Sequence, residues 1–270
     1  MKSSLKLQTD DIMLEKIVAK TEERLIEAKR EKPLEDLKNE VLKMEISHNF
    51  PFKEALNDPE IAIIAEVKRA SPSKGMIAED FDYVAIAQEY ESAGASAISV
   101  LTEPYFFKGS NRYLKEISQN VSIPLLRKDF VIDEYMIWEA KLLGASCILL
   151  IVSILDIVQL KKYLDLAHEL GLSAIVETHD GDEIRTAMNV GAEIIGVNNR
   201  NLKDFTVDIE NSINLRRCVS DNIIFISESG IKTKEDVTKL KENNVDAVLI
   251  GETLMKSDDK KSLISELKNG

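Results

Sequence analysis

The sequence predicts an α/β protein, a (β/α)8 TIM barrel with an N-terminal helical extension. The first observation is a series of eight short apolar runs, which begin near residues 61, 97, 123, 146, 173, 194, 223 and 246. Continuous Val, Ile and Leu stretches are typical of parallel strands that are buried on both faces. The second observation is that amphipathic segments of helical length separate these runs, with no linker between them. Eight such units in series favour a closed barrel over a doubly wound open sheet.

Residues 1–47 differ from the rest, because they carry alternating charges and few apolar side chains. A helix is predicted to begin at Thr9-Asp10-Asp11, with an apolar face of Leu14, Ile17, Val18, Thr21, Leu25 and Ala28. Pro33 ends this helix and suits the first turn of another, whose apolar face is Leu34, Leu37, Val41 and Met44. We expect the pair to pack on the side or bottom of a barrel domain that covers residues 48–270. The alternative is a lid or a dimerisation arm.

Helices are predicted between the strands, over residues 83–93, 133–143, 154–170 and 232–243 among others. Glycine often follows such a segment, because it adopts the left-handed backbone conformation that ends a helix. The four positions at which it does so here are Gly94, Gly144, Gly171 and Gly191.

Composition excludes several classes of function. The formal net charge of −12 and the pI near 4.9 argue against a nucleic-acid partner, which requires a dense basic surface. No apolar stretch approaches the ~20 residues of a membrane span, and the amino terminus lacks the apolar core of a secretory signal. The two cysteines, Cys147 and Cys218, are expected to pack as small hydrophobic residues rather than to form a disulfide, so a reducing cytoplasm is the expected location. The three histidines have no ligand spacing, so we predict neither a metal nor a cofactor.

Polar residues follow the apolar runs at the carboxyl ends of the predicted strands. Glu66 and Lys68 alternate along the first strand, so both side chains should point into the barrel mouth. A single Lys or Glu at such a place is more often part of a surface ion pair. A set of them around one rim can adjust each other's pKa values and is typical of a barrel active site. The other strands contribute Lys128, Glu177, Asn198, Arg200, Glu228 and Ser229.

Two further groups of residues at the predicted rim have open interpretations. Gly230 and Gly251 are either turn residues or backbone donors to an anion, and phosphate sites after the seventh and eighth strands favour the second reading. Phe107, Phe130 and Phe205 occur in three different loops. They are either plugs over the core or an apolar wall for a flat ring.

Two segments of the chain are especially distinctive: Ile64-Ala-Glu66-Val-Lys68-Arg-Ala-Ser71-Pro-Ser73-Lys-Gly75 and Leu126-Arg-Lys128-Asp-Phe130-Val. They resemble the indole-3-glycerol phosphate synthase family. The resemblance spans roughly residues 48 to 256 and is most specific in these two segments. It continues in Val100-Leu-Thr102-Glu, Phe107-Lys-Gly109-Ser, Val176-Glu177-Thr-His, Gly196-Val-Asn198-Asn-Arg200-Asn-Leu, Ser227-Glu228-Ser229-Gly230-Ile and Ile250-Gly251-Glu252.

The resemblance implies a reaction and a role for each matching residue. The family closes an indole ring on 1-(2-carboxyphenylamino)-1-deoxyribulose 5-phosphate and releases carbon dioxide and water. Lys128 matches the general acid, and we expect burial and neighbouring cations to lower its pKa. Glu177 matches the general base, and Lys68 a contact to the substrate carboxylate. The resemblance also implies that Glu66 pairs with the lysines, that Asn198, Glu228 and Ser229 contact the sugar and the catalytic side chains, and that Arg200 contacts the substrate carboxylate. It implies that the aromatic ring of the substrate is contacted by Phe107, Phe130, Leu149 and Phe205. It implies that the phosphate is contacted by Ser71, Gly230, Gly251 and Glu252.

Two other functions remain alternatives. Phosphoribosylanthranilate isomerase is also a phosphate-binding barrel, but it relies on a cysteine after its first strand, where this chain has Glu66-Val-Lys68. A non-catalytic barrel that only binds a sugar phosphate need not keep an acid and a base together. We therefore predict a carboxy-lyase of tryptophan biosynthesis that acts on a small anionic substrate, as a monomer or a weak homodimer.

Overall fold

The computed structural model describes residues 11–201 and 206–268, and in it eight parallel strands close into one barrel. The strands follow each other around the barrel in chain order, and the last one pairs with the first. Every strand begins within two residues of its predicted position, which confirms the fold class. They are β1 Ala62–Val67, β2 Ala97–Leu101, β3 Leu125–Lys128, β4 Cys147–Ile151, β5 Ser173–Thr178, β6 Ile194–Asn198, β7 Ile224–Glu228 and β8 Ala247–Ile250.

Burial on both faces explains why the strands lack a polar alternation. In β4, Cys147, Leu149 and Ile151 belong to the cluster that fills the barrel interior. The alternate residues, Ile148 and Leu150, pack against the surrounding helices. Because side chains alternate across a strand, both sets must be apolar when both faces are covered.

The helices surround the barrel. Those predicted at 83–93, 133–143 and 232–243 are found within two residues of these limits. The one predicted at 154–170 begins later, because Val152–Ile154 forms a separate 3-10 turn and Asp156 caps the helix by accepting from the N–H groups of Val158 and Gln159. The helices are α1 Asp11–Glu31, α2 Leu34–Val41, α3 Pro51–Ala55, α4 Tyr83–Ser92, α5 Asn111–Ser118, α6 Glu134–Leu142, α7 Ile157–Glu169, α8 Gly181–Asn189, α9 Glu210–Arg216, α10 Lys234–Glu242, α11 Glu252–Met255 and α12 Lys260–Lys268.

The predicted helix-ending glycines are confirmed, since Gly94, Gly144, Gly171 and Gly191 all have positive φ. None of the described helices has the length and apolar character needed to cross a bilayer. Cys147 is buried, whereas Cys218 is exposed because it lies in the turn after α9. The expectation that both cysteines pack as small hydrophobic residues was therefore wrong for Cys218.

The two ends of the barrel differ. Phe52 of α3 is fully buried and packs, with Leu56, against the lowest interior residues of the strands. This closes the end at which the strands begin. The end at which they finish stays open, and it carries the polar residues that the sequence places there.

The N-terminal helices lie at two different places. α2 packs against α6 on the side of the barrel, with Leu37 and Val41 buried, as predicted. Met44 lies beyond the end of α2 and is exposed, so its assignment to that apolar face was wrong. α1 was expected on the side or bottom, but Met13, Leu14 and Ile17 line the cavity at the open end. Its predicted start at Thr9 and Asp10 lies outside the described residues.

A buried ion pair holds α1 at the mouth. Arg24 makes two hydrogen bonds to Asp129, of 2.8 and 3.1 Å, and the Asp129 side chain is fully buried. Thr102 and the backbone N–H of Phe130 also donate to Asp129. Asp129 directly follows β3, so α1 is fastened next to the residue that ends this strand, Lys128.

Arg24→Met is expected to lower the free energy of unfolding by about 3 kcal/mol, because it leaves a buried carboxylate without its main cation. The pair Lys161 and Asp165 on α7 is exposed at both side chains, so Lys161→Met is the matched control, with an expected change of at most about 0.5 kcal/mol. Urea unfolding of both variants measures the difference. Equal effects of the two substitutions would show that the Arg24 pair does not fasten α1.

Candidate active site

A cavity of about 780 Å³ opens at the carboxyl end of the barrel. This volume suits a ligand of drug or substrate size. The ends of all eight strands contribute to its lining, together with α1 and the loops after β1 and β2. Phe205 lies outside the described residues. All the other predicted site residues line this cavity: Glu66, Lys68, Ser71, Phe107, Lys128, Phe130, Leu149, Glu177, Asn198, Arg200, Glu228, Ser229, Gly230, Gly251 and Glu252.

Lys128 is the centre of the charged cluster. Its Nζ atom lies 3.0 Å from Glu177 Oε2 on β5 and 2.5 Å from Glu228 Oε2 on β7. Arg127 points the other way, toward Glu139 at 2.6 Å, because successive side chains of a strand alternate, whereas Asp129 binds Arg24 of α1. Gly196 on β6 leaves the space that Glu228 occupies, since a Cβ at that position would lie 2.3 Å from Glu228 Oε1.

The cluster determines how its members titrate. Burial alone would lower the pKa of Lys128, but the negative charges of Glu177 and Glu228 outweigh burial and hold that pKa above its usual range. The expectation that neighbouring cations lower it was wrong, because its neighbours are carboxylates. Burial, with the nearby charge of Glu177, raises the pKa of Glu228 to about 7 against the opposing effect of Lys128. The site therefore contains a protonated lysine and one carboxylate that titrates near neutrality.

A second ion pair lies beside the first. Lys68 Nζ contacts Glu66 Oε1 at 2.5 Å, and both side chains point inward from the end of β1, as predicted. Ser99 on β2 lies 3.5 Å from the other oxygen of Glu66. Gly251, after β8, makes this arrangement possible, because a Cβ there would lie 2.4 Å from Glu66 Oε1 and 2.8 Å from Lys68 Nζ.

Gly251→Ala is expected to reduce kcat/KM on the order of 10- to 100-fold, because the added methyl group displaces the Glu66–Lys68 pair. The φ angle of Gly251 is −114°, so alanine introduces a steric conflict without backbone strain. Gly181 has open space around it and is the matched control. Steady-state kinetics of both variants provide the comparison. If Gly251→Ala matched Gly181→Ala, the close packing at the end of β8 would have no part in activity.

The second oxygen of Glu177, Oε1, makes longer contacts than the oxygen that Lys128 binds. Asn198 Nδ2 lies 3.5 Å from Glu177 Oε1, and His179 Nε2 lies 3.6 Å from the same oxygen. Burial would raise the pKa of Glu177, but the charges of Lys128 and His179 outweigh it and lower that pKa. Glu177 is thus an ionised carboxylate with one oxygen held by Lys128 and the other near Asn198 and His179.

One side of the cavity is apolar and is shaped by a buried carboxylate. Glu103 accepts hydrogen bonds of 2.7 to 2.9 Å from the N–H groups of Tyr105, Phe106 and Phe107. This fixes the loop after β2 so that Phe107 lies 6.0 Å from Phe130, ring centre to ring centre. With Leu149 of β4, the two rings form an apolar wall that suits a flat aromatic group.

The opposite side of the cavity has a backbone suited to an anion. Ser229 and Gly230, after β7, both have positive φ, of 69° and 88°. Asn199 stabilises this turn by donating to Ser227 and to the carbonyl of Ser229. Glu252 directs its carboxylate to Lys256, 2.7 Å away, and to Lys74 at 3.7 Å. That carboxylate is therefore paired with cations.

Four residues with clear structural roles received none from the sequence alone: Glu103, Asp129, His179 and Asn199. All four occur inside the strings that carry the family resemblance, and Asp129 and Asn199 each lie between two residues that were assigned roles. Asp129 and Asn199 directly follow β3 and β6, each beside an assigned residue, and this position is the signal that marks them as supports. In the part of the chain that the structure describes, no group of three His, Cys, Asp or Glu residues is arranged to hold a metal ion.

Comparison with known proteins gives a consistent result. The family described as "Indole-3-glycerol phosphate synthase" matches residues 14–267. An indole-3-glycerol phosphate synthase of Lacticaseibacillus casei is 56% identical over 257 residues, which is 95% of this chain and 99% of that protein. Its counterpart in Ruminiclostridium cellulolyticum is 51% identical over 257 residues, with the same coverage of 95% and 99%.

Solved structures show the same fold at low identity. A 3-hexulose-6-phosphate synthase superposes with a TM-score of 0.64 at 10% identity, covering 77% of this chain and 99% of that one. A thiamine phosphate pyrophosphorylase from Pyrococcus furiosus superposes with a TM-score of 0.58 at 17% identity, covering 77% of this chain and 94% of that one. These likenesses show the barrel alone. The family match and the close relatives, together with a charged mouth in which Lys128, Glu177 and Lys68 meet, show that the chain belongs to the indole-3-glycerol phosphate synthase family.

Proposed function

We propose that this cavity closes the indole ring of 1-(2-carboxyphenylamino)-1-deoxyribulose 5-phosphate to give indole-3-glycerol phosphate, carbon dioxide and water. The observation that carries the proposal is the contact of one buried ammonium group, Lys128, with two carboxylates at the centre of the cavity. The apolar wall on one side and the glycine turns on the other match the two ends of this substrate. The names of the close relatives support the same reaction.

Ring closure requires an acid at the ketone. The ring carbon that bears the carboxylate attacks the ketone carbon, and the ketone oxygen must gain a proton as the new bond forms. Lys128 is assigned as this acid, because its raised pKa keeps it protonated at neutral pH. While the proton is in place, the ammonium group offsets one of the two negative charges beside it. Loss of carbon dioxide then restores the aromatic ring.

Dehydration requires a base and a second proton donor. Glu177 is assigned as the base that removes the anilino proton while the hydroxyl group leaves as water, and transfer of one proton from the adjacent methylene carbon to the nitrogen then gives the aromatic indole. Its lowered pKa keeps it ionised before this step. Lys68, which lies beside Glu66, is assigned to the substrate carboxylate and then to the leaving hydroxyl group. Two protons reach the departing oxygen and one leaves the anilino system, so each turnover takes up one proton from water.

The other site residues bind and orient the substrate in this proposal. The anthranilate ring lies against the wall of Phe107, Phe130 and Leu149, and Phe205 stays a predicted member of it. Arg200 contacts the substrate carboxylate. The phosphate is bound by Ser71 and by the backbone N–H groups of Gly230, Gly251 and Glu252. Asn198, Glu228 and Ser229 hold the sugar hydroxyl groups and the two catalytic side chains.

Adding the substrate to the purified chain and following indole fluorescence tests the proposal. We expect fluorescence to rise with repeated turnover. Phosphoribosylanthranilate, the substrate of the alternative isomerase, should remain unchanged, because Glu66 and Lys68 occupy the place where that enzyme needs a cysteine. A folded chain that binds the substrate without forming indole would reduce the protein to a binding barrel. Four expectations stay predictions. They are the division of the chain at residue 47, the cytoplasmic location, the absence of nucleic-acid and membrane partners, and the monomeric or weakly dimeric state.

A further inference from the structure

His179 lies two residues beyond Glu177 and has no role in the reaction as assigned above. Its Nε2 atom is buried and has no hydrogen-bond partner among the described residues. Glu177 Oε1, on β5, lies 3.6 Å from this atom, and both residues line the cavity. A buried, unpaired ring nitrogen beside the assigned base calls for a physical reason, because such an atom costs free energy unless it binds something.

The other side of the imidazole ring is firmly anchored. His179 Nδ1 lies 3.1 Å from Glu183 Oε2 on α8. The same oxygen accepts the backbone N–H of His179 at 2.7 Å. A carboxylate only accepts hydrogen bonds, so Nδ1 must carry hydrogen. This leaves Nε2 directed at Glu177, either as a lone pair in the neutral ring or as a donor in the charged one.

We propose that His179 is a positioning residue for the base: anchored by Glu183, it directs its Nε2–H group at Glu177 Oε1 and holds that carboxylate toward Lys128 and the substrate. The inference rests on the proposed function, because it needs Glu177 to act as the base of the dehydration. The gap of 3.6 Å is slightly longer than a hydrogen bond, and such contacts often shorten when substrate binds.

Electrostatics supports the charged form of the ring. Burial would lower the pKa of His179, but the hydrogen bond to Glu183 and the charges of Glu177, Glu183 and Glu228 outweigh it and raise that pKa. The groups that face the ring are thus Glu177 on β5, Glu183 on α8 and Glu228 on β7, with Lys128 on the far side of Glu177. A raised pKa means that the charged form persists to higher pH and is lost as pH rises through the new value. The hold on Glu177 should weaken over that same range.

His179→Asn removes Nε2 but keeps an amide nitrogen at the place of Nδ1, so the anchor to Glu183 remains. Single-turnover experiments can follow two signals, the release of labelled carbon dioxide and the rise of indole fluorescence. We expect carbon dioxide release within about twofold of the unaltered chain and indole formation slower by about 10- to 100-fold. Only indole formation should slow strongly, because Glu177 acts as the base only after carbon dioxide has left.

His179→Gln is the second variant, since its amide nitrogen lies near the place of Nε2 and donates without charge. This variant should recover part of the dehydration rate, and that rate should no longer depend on the titration of a histidine. His48 is exposed, so His48→Gln is the matched control and should change neither signal. Urea unfolding of each variant shows whether it is folded.

Equal slowing of both signals in folded His179→Asn, or no slowing of either, would overturn the proposal. No recovery in His179→Gln would also overturn it. Failure of the proposed function is a different result, because the unaltered chain would then form no indole. Failure of the base assignment is separate again, because Glu177→Gln would then dehydrate at the normal rate.

Discussion

Lys128→Met is expected to reduce the rate of carbon dioxide release by on the order of 10²- to 10⁴-fold, the usual contribution of a general acid. Methionine keeps most of the length of the side chain but has no proton to give. It also leaves Glu177 and Glu228 facing each other without the cation that both contact, which favours proton uptake by one of them. Quenched-flow measurement of labelled carbon dioxide reports this step directly.

Two further variants make the Lys128 result specific. Lys128→Arg keeps the positive charge between the carboxylates but releases its proton far less readily, so it should fold well and remain nearly inactive. Lys141 on α6 is a partly buried lysine that does not line the cavity, and burial lowers its pKa. Lys141→Met should leave turnover unchanged. Near-normal turnover by Lys128→Met would reject Lys128 as the acid.

Glu177→Gln is expected to have the second large effect, on dehydration alone. Glutamine keeps an oxygen for Lys128 but cannot remove a proton. Carbon dioxide should still be released, while indole fluorescence develops on the order of 10²-fold more slowly. The intermediate that has lost carbon dioxide but not water should therefore accumulate and be visible in a rapid-quench sample.

The control for this variant is Glu169→Gln, since Glu169 is an exposed residue at the end of α7. Both signals should be unchanged in it. If Glu177→Gln formed indole at the normal rate, the base would have to be sought elsewhere in the cluster. Glu228 would be the next candidate, because its pKa is raised to about 7 by burial and by Glu177.

The strands and the position of the mouth could be predicted because they depend on local patterns. A strand buried on both faces must be apolar throughout, so the interior and outer sets of β4 formed one recognisable run. The residues that end the strands then had to meet at one rim, whatever their separation in the chain. Lys128 and Glu228, which are 100 residues apart, illustrate this.

Contacts between distant surfaces could not be predicted in this way. Nothing local in α1 indicates that Arg24 reaches Asp129, 105 residues later, and so the helix was expected on the side or bottom of the barrel. The pKa of Lys128 was misjudged for a related reason. Its direction depends on which charges surround it, and the arrangement of two carboxylates against one ammonium group exists only in the folded chain.

The most direct test of the account is a crystal structure of the chain with indole-3-glycerol phosphate bound. We expect the indole ring against Phe107 and Phe130, and the phosphate at the backbone N–H groups of Gly230 and Gly251. Lys128 and Glu177 should both lie within hydrogen-bond reach of the ligand or of one water molecule bound to it. A ligand that occupied another surface, or that left both side chains out of reach, would contradict the central claim that these residues act together on one substrate.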